Sequence, residues 1–315
     1  MLIWGLVMRK RLSIVVMFFA FTTVIAPPDA GAAPGIRTAP AHAAAVKTGF
    51  APPSRPEQKV PARPNVIPPG YQFWNLQLNL CNSGIAGCFE GGQSVPEAQQ
   101  VIANWAPDVV TLNEVCLPDV RDQLFPTMLQ TWGGDWVFWA FMPAWNTDTN
   151  APYQCANGRG EYGNGIIGHV LDEDWAGVDA VGGIYQWQDG DPDNNEWRSW
   201  VCAYAIDNYY GCGTHLAANN ATAADLQCND LLRNLVPAFQ SSEGGYRPTV
   251  VGGDFNLKFQ GNPDIQACVP SGWYRKGDGD VQHWFITNDL TFDFTQEIGM
   301  SHTDHPGWLV ATTKS

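Results

Sequence analysis

From Tyr71 to Leu80 the chain reads Tyr-Gln-Phe-Trp-Asn-Leu-Gln-Leu-Asn-Leu, with aromatic or aliphatic residues at alternate positions, a period that predicts a strand. Ser94-Val-Pro-Glu97 has the form of a capping box with Pro in the first turn, and Ala98, Val101, Ile102 and Trp105 follow at helical spacing. Pro107 stops that helix. Asp108-Val-Val-Thr-Leu-Asn-Glu-Val115 then predicts a buried strand with Glu114 near its C-terminal end. The aromatic run from Trp132 to Phe141 predicts a strand pair buried in the core. Further strands are predicted over 164–170, over 198–206 and 209–216 as a hairpin turning at Asp207-Asn208, and over 249–253, 282–287 and 308–312. A helix over 223–239 gathers Leu226, Leu231, Leu232 and Leu235 on one side. Mixed strands with few helices predict an α/β sandwich, sheets packed on each other with helices outside.

This pattern begins only near residue 70. Met8-Arg9-Lys10-Arg11, the apolar run Leu12–Ala26 and the small residues around 29–33 have the order of a secretory signal over residues 1–33, too short in its apolar part for a membrane span. Residues 34–69 are rich in Pro and Ala and predict an extended, disordered linker. Residues 70–315 are expected to form one folded domain, with no stable membrane anchor and a monomer as the expected state. All eight cysteines fall in it. An even number on an exported chain predicts up to four disulfides, with Cys81–Cys88 and Cys202–Cys212 as the first pairs.

Charge narrows the partners. Eight of the 17 basic residues but only two of the 31 acidic ones lie in 1–69, which leaves the rest of the chain at about −20. A broad basic track for a polyanion is excluded, so a phosphate substrate must be met by a bound cation or a few local groups.

Polar residues collect where the predicted strands end: Asn79, Glu114, His215, Asp254 with Asn256, and Asp304 with His305. In Val250-Val-Gly-Gly-Asp-Phe-Asn256 an extended backbone would send Asp254 and Asn256 to one face. Leu78-Asn-Leu80, Pro107-Asp-Val-Val-Thr-Leu-Asn-Glu-Val115, Gly213-Thr-His-Leu216, Gly253-Asp-Phe-Asn256 and Thr303-Asp-His-Pro306 resemble, in order, the successive motifs of the endonuclease/exonuclease/phosphatase (DNase I-like) superfamily. The resemblance covers about Tyr71 to Thr313. It implies a four-layered α/β sandwich of two packed mixed sheets with outer helices, and metal-dependent hydrolysis of phosphoric esters. It also implies that Asn79, Glu114 and Asp304 hold the metal, that Asp254 and Asn256 orient water and phosphate, and that His215 and His305 stabilise developing charge. Gln282 departs from the pattern, standing where an Asp commonly orients the last histidine. Asn75 lies on the same strand face as Asn79; Asn79 is preferred for its place nearer the strand end.

The residue types make chemical sense together. A phosphodiester repels an incoming water, so a hard cation on carboxylate and amide oxygens must neutralise it; Mg²⁺ suits such ligands, with Mn²⁺ or Ca²⁺ as alternatives. Asp254 would accept the proton of the water, and a protonated His215 or His305 would donate to phosphate oxygens. Asn164 and Arg159 are the expected substrate-binding residues, with Arg198 as an alternative to Arg159. The expected substrate is extracellular nucleic acid. The alternatives are a phospholipid, sphingomyelin or phosphomonoester substrate, and a non-catalytic binding protein.

Overall fold

The computed structural model describes residues 35–39, 45–51, 67–133, 135–170, 177–191 and 194–315. The signal expected over 1–33 lies outside them. Among the described residues the main strands are Lys47–Ala51 (β1), Gln72–Asn79 (β2), Val109–Cys116 (β3), Trp136–Pro143 (β4), Tyr162–Val170 (β5), Val178–Ile184 (β6), Ser199–Ala205 (β7), Tyr209–His215 (β8), Thr249–Asp254 (β9), Trp273–Gly277 (β10), Gln282–Thr287 (β11), Leu290–Ile298 (β12) and Gly307–Lys314 (β13). They build one sheet in the order β12-β13-β2-β3-β5-β4-β1 and a second in the order β10-β11-β9-β8-β7-β6. At the middle of each sheet stands one parallel pair, β2 with β3 and β8 with β9. A parallel pair needs a crossover, and each has a helical one.

The first crossover is helix α1, Ser94–Trp105. The second is the helical stretch α3, made of Ala221–Asp230, Leu231–Leu235 and Val236–Ser242. Between them in sequence lies α2, made of Leu117–Asp119, Val120–Leu124 and Phe125–Trp132. The middle segments of α2 and α3 are wide π turns, each followed by a proline, Pro126 or Pro237. Proline lacks the amide hydrogen and crowds the carbonyl four residues back, and the wider turn accommodates it without ending the helix.

Strand alternation then sorts side chains into three apolar layers. In β2, Leu76 and Leu78 pack with Val101 and Ile102 of α1 and Leu124 and Met128 of α2, while Phe73 faces inward with Val201, Tyr209 and Trp284 of the other sheet. On the far side, Cys212, Val251 and Phe285 pack against Leu231, Leu232 and Phe239 of α3. Helix, sheet, sheet, helix is the four-layered sandwich that the sequence predicts. All eight cysteines pair, as Cys81–Cys88, Cys116–Cys155, Cys202–Cys212 and Cys228–Cys268, which includes both expected pairs. Among the described residues no helix is long and apolar enough to cross a membrane.

Three local expectations are corrected. The stretch 34–69 is not a featureless linker, because Ile36–Thr38 pairs with Trp187–Asp189 and β1 adds to the edge of the first sheet, fastened by an ion pair between Lys47 and Glu161. Ser94 does not cap α1: the N-cap is Gln93, in helical conformation with no side-chain cap bond, and Glu97 instead accepts the backbone amides of Ser301 and His302. The aromatic run is not a strand pair, since Trp132 ends a helix and the single strand β4 carries the rest.

Candidate active site

The inner face of β2 changes character along its length. Phe73 is apolar, but Asn75, Gln77 and Asn79, at the same alternate positions, are polar and buried, and so are Thr111 and Asn113 on β3. Buried polar groups need partners. Gln77 Nε2 donates to Asn113 Oδ1 at 2.7 Å, and the Thr111 hydroxyl bonds Gln77 Oε1. Asn113 Nδ2 donates to Asn164 Oδ1 within its own sheet and across the seam to the Thr214 carbonyl, both at 2.8 Å, while its Oδ1 also accepts the Asp254 amide at 2.8 Å. This strip of amides leads from the apolar seam to the carboxyl ends of the two parallel pairs, where Asn79, Glu114, His215 and Asp254 meet.

Glu114 reaches that end by a backbone irregularity. Simple alternation from Leu112 would point Glu114 at the helices. The register between β3 and β5 instead slips between Leu112 and Val115, and Glu114 adopts φ 53°, in the left-handed region that a non-glycine residue rarely enters. The extra residue lets Asn113 and Glu114 both serve the seam while Val115 returns to the helix-facing core. Asn79 Nδ2 then donates to Glu114 Oε1 and to Asp254 Oδ2, each at 3.2 Å.

Gly252 and Gly253 set the position of Asp254. A Cβ on Gly253 would overlap the Thr214 carbonyl of β8, and one on Gly252 would meet Thr111 Oγ1 at 2.6 Å and the Trp284 ring at 2.7 Å. Only glycine lets β9 lie this close to its neighbours. Asp254 ends the strand, and Asn256 lies beyond it with φ 50°. They come together because the Asn256 amide folds back to Asp254 Oδ1 at 3.0 Å, with Asn256 Nδ2 donating to the Leu216 carbonyl at 2.9 Å. A turn, and not the expected pleat of an extended strand, brings the pair to one place.

The loop carrying Asp304 and His305 is pinned from three sides. Glu97 holds its Ser301 and His302 amides, Thr303 Oγ1 donates to the Asn79 carbonyl at 2.8 Å, and Gln282 Nε2 donates to the Pro306 carbonyl at 2.7 Å. Gln282 thus fixes the turn through its backbone and not through the His305 ring. His305 Nε2 lies 3.5 Å from Asp254 Oδ2 and 3.8 Å from Asp304 Oδ1. Asp304 is exposed, at the rim beside the Cys81–Cys88 disulfide. Among the described residues the carboxylates of Glu114, Asp254 and Asp304 do not close into one tight cluster, and the one close triad, Cys81, Cys88 and Asp304, contains sulfurs already bonded to each other.

Two of the candidate site residues are strongly shifted. Burial raises the Asp254 carboxyl to about 6, against the opposing pull of His305 and the hydrogen bonds from Asn256 and Asn79, with Glu114 adding to the rise. His215 moves the other way: burial first, then the positive Arg198 and His305, hold it well below its usual range. His215 is therefore neutral, which corrects the expectation of a protonated donor there.

The two expected substrate-binding residues have other work. Asn164 is buried, with Nδ2 on the Ser199 carbonyl and hydroxyl and Oδ1 on Asn113, so it braces the seam. Arg159 bonds the Asn82 carbonyl, lies over the Phe89 ring and approaches Asp119 at 4.0 Å, so it braces the Cys81–Cys88 loop. Arg198 is the guanidinium that touches a site residue, with Nη1 3.0 Å from His215 Nδ1. Asn113 is the residue that sequence reasoning missed. Its signal was an amide flanked by Leu112 and Glu114 in an otherwise apolar strand.

No family model and no curated protein matches the sequence. Solved structures do match. The endonuclease/exonuclease/phosphatase from Beutenbergia cavernae DSM 12333 aligns over 78% of this chain and 72% of its own, with TM-score 0.53 and 16% identity. The catalytic domain of human nocturnin with bound sulfate anion aligns over 78% of this chain and 94% of its own, with TM-score 0.52 and 16% identity. A mannosyl-6-phosphatase of Bacteroides thetaiotaomicron aligns over 76% and 98%, with TM-score 0.50 and 14% identity.

Proposed function

We propose, from the DNase I-like fold of the endonuclease/exonuclease/phosphatase superfamily as premise, that this chain is a secreted, divalent-cation-dependent phosphodiesterase that hydrolyses extracellular nucleic acid. The observation that carries the reading is the Asn79 carboxamide held between the Glu114 and Asp254 carboxylates, with His215 and His305 beside them. Two carboxylates facing one site repel each other, and a hard cation relieves that repulsion; their oxygens fit such an ion, and Asn79, whose Nδ2 faces them while its Oδ1 accepts the Cys81 amide, would turn its carboxamide to add a third. Asn79 and Glu114 would hold it, with Asp304 joining from the rim, and Mg²⁺ suits so few protein ligands because it keeps several waters. When bound, the cation neutralises and polarises the phosphoric ester.

The side chains divide the remaining work. Asp254, desolvated and raised to about 6, is a carboxylate poised near neutrality to accept the proton of an attacking water. Asn256 orients beside it. His215, neutral, donates its remaining N–H to a phosphate oxygen, and His305 does so from the more exposed side. The strongly acidic surface makes the cation the local answer to an anionic substrate. A relative described with a bound sulfate and another named as a sugar phosphatase support a site for a tetrahedral oxyanion. A monomer is part of the reading. Export over residues 1–33 is part of the reading, and four disulfides support an oxidising compartment.

The test is a substrate panel of DNA, RNA, sphingomyelin and a sugar phosphate, assayed with Mg²⁺ and with chelator. Metal-dependent cleavage of nucleic acid is expected. Cleavage of lipid or monoester alone would reassign the substrate, and hydrolysis undiminished by chelator would remove the cation. N-terminal sequencing of protein recovered from culture medium tests the export signal.

A further inference from the structure

Arg198 is nine-tenths buried, on the short link between Glu196–Trp197 and β7. Gln188 clamps its backbone: the Arg198 amide donates to Gln188 Oε1 at 2.8 Å, and Gln188 Nε2 donates to the Arg198 carbonyl at 3.0 Å. The Nη1 nitrogen carries two hydrogens. It donates to Glu196 Oε1 at 2.9 Å and faces His215 Nδ1 at 3.0 Å. A guanidinium has five donors, no acceptor and no accessible deprotonated form. The atom it faces must therefore offer a lone pair, which leaves the single proton of His215 on Nε2.

We propose that Arg198, with Glu196 as its counter-ion, is a positioning residue that locks His215 as the neutral Nε2–H tautomer, giving the site a fixed hydrogen-bond donor for a phosphate oxygen. The proposal rests on the phosphoric ester hydrolase reading for its consequence, but the tautomer can be read without any substrate. A carboxylate on Nδ1 would favour an imidazolium that shuttles protons; a guanidinium forbids it. The charged groups around His215 agree. Arg198 and His305 both disfavour a positive ring, Asp254 stands opposite in register on β9, and Glu196, Glu114 and Tyr162 act on Arg198 itself. Proton transfer is thereby left to the other side of the site, to Asp254 and the partly exposed His305.

Long-range ¹⁵N–¹H correlation on the full folded protein labelled in histidine, with His215 assigned by His215→Gln, reads the tautomer directly. Between about pH 5 and about pH 8, His215 is expected to keep a bare Nδ1 and a protonated Nε2 throughout. A proton on Nδ1, or a His215 that titrates across that range in the wild-type protein, overturns the proposal. In the double variant Arg198→Met with Glu196→Gln, chosen so that no unpaired carboxylate is left buried, His215 is expected to begin titrating. Its kcat should fall about 10-fold or more with KM little changed, and its pH profile should gain a limb. A double variant with unchanged pH profile and unchanged kcat removes Arg198 from the mechanism. If that variant does not fold, the wild-type spectrum decides alone. A locked tautomer in a protein that hydrolyses no phosphoric ester would sink the functional reading and leave the assignment of His215 standing.

Discussion

Asn113 Oδ1 accepts the backbone amide of Asp254 at 2.8 Å, so the acid at the end of one sheet hangs from an amide in the other. The same Asn113 side chain also serves Gln77, Asn164 and Thr214. Truncation would strand several buried partners at once. Asn113→Ala is expected to cost about 2–4 kcal/mol in urea denaturation and to lower hydrolysis of the best substrate. A loss below about 0.5 kcal/mol, the range of ordinary surface substitutions, would show that the seam does not depend on it.

Glu114 stores backbone strain. A left-handed non-glycine residue costs about 1–3 kcal/mol, which glycine relieves. Glu114→Ala and Glu114→Gly are both expected to abolish hydrolysis, yet the glycine variant should unfold at the same or a higher temperature than the alanine variant, even though glycine usually destabilises a strand. Calorimetry of the two proteins side by side checks this; a clearly less stable glycine variant would mean that the left-handed turn is not native.

His169 gives stability a pH dependence at the end of β5. Its ring stacks on Trp132 with centroids 3.6 Å apart, with Nδ1 3.0 Å from Asp108 and Nε2 3.2 Å from Asp135. Burial alone would lower its pKa, but the two carboxylates outweigh burial and raise it. A raised histidine contributes stability that is fully present below its unfolded pKa of about 6.5 and is lost as pH rises through the folded value. The free energy of unfolding is therefore expected to lose its His169 contribution on the alkaline side, and His169→Gln should flatten that part of the profile. Unfolding followed by denaturant at a series of pH values measures it.

Gln282 offers a subtler test. Its Nε2 holds Pro306, while its Oε1 is buried with no hydrogen-bond partner among the described residues. Gln282→Leu should free the turn bearing Asp304 and His305 and lower kcat/KM about 10-fold, the usual size of a supporting contact around a metal site. Unchanged kinetics would assign the turn to Glu97 and Thr303 instead.

The layers of the sandwich were legible because strand and helix periods survive in Tyr71–Leu80, Val109–Val115 and the stretch around Leu231. The ends of those elements were legible too, since Asn79, His215 and Asp254 stand where apolar runs stop. What escaped was set by partners distant in the chain. Strands β1, β6 and β12 sit at or near sheet edges with half-exposed faces, so their alternation is weak and pairing supplies what periodicity does not. Glu97 mimicked a cap because the Ser301 amide that claims it lies some 204 residues away. The bulge at Glu114 leaves no local mark. Arg159 and Arg198 were indistinguishable in sequence, and only burial against Glu196 and His215 separates them.

The mirrored crossovers carry one more implication. Each half of the chain folds a parallel pair around its own helix, but the first half supplies Asn79 and Glu114 and the second supplies His215 and Asp254. Neither half owns a working centre. On the proposed reading, a partly synthesised chain would lack the full set of candidate residues until the two faces dock.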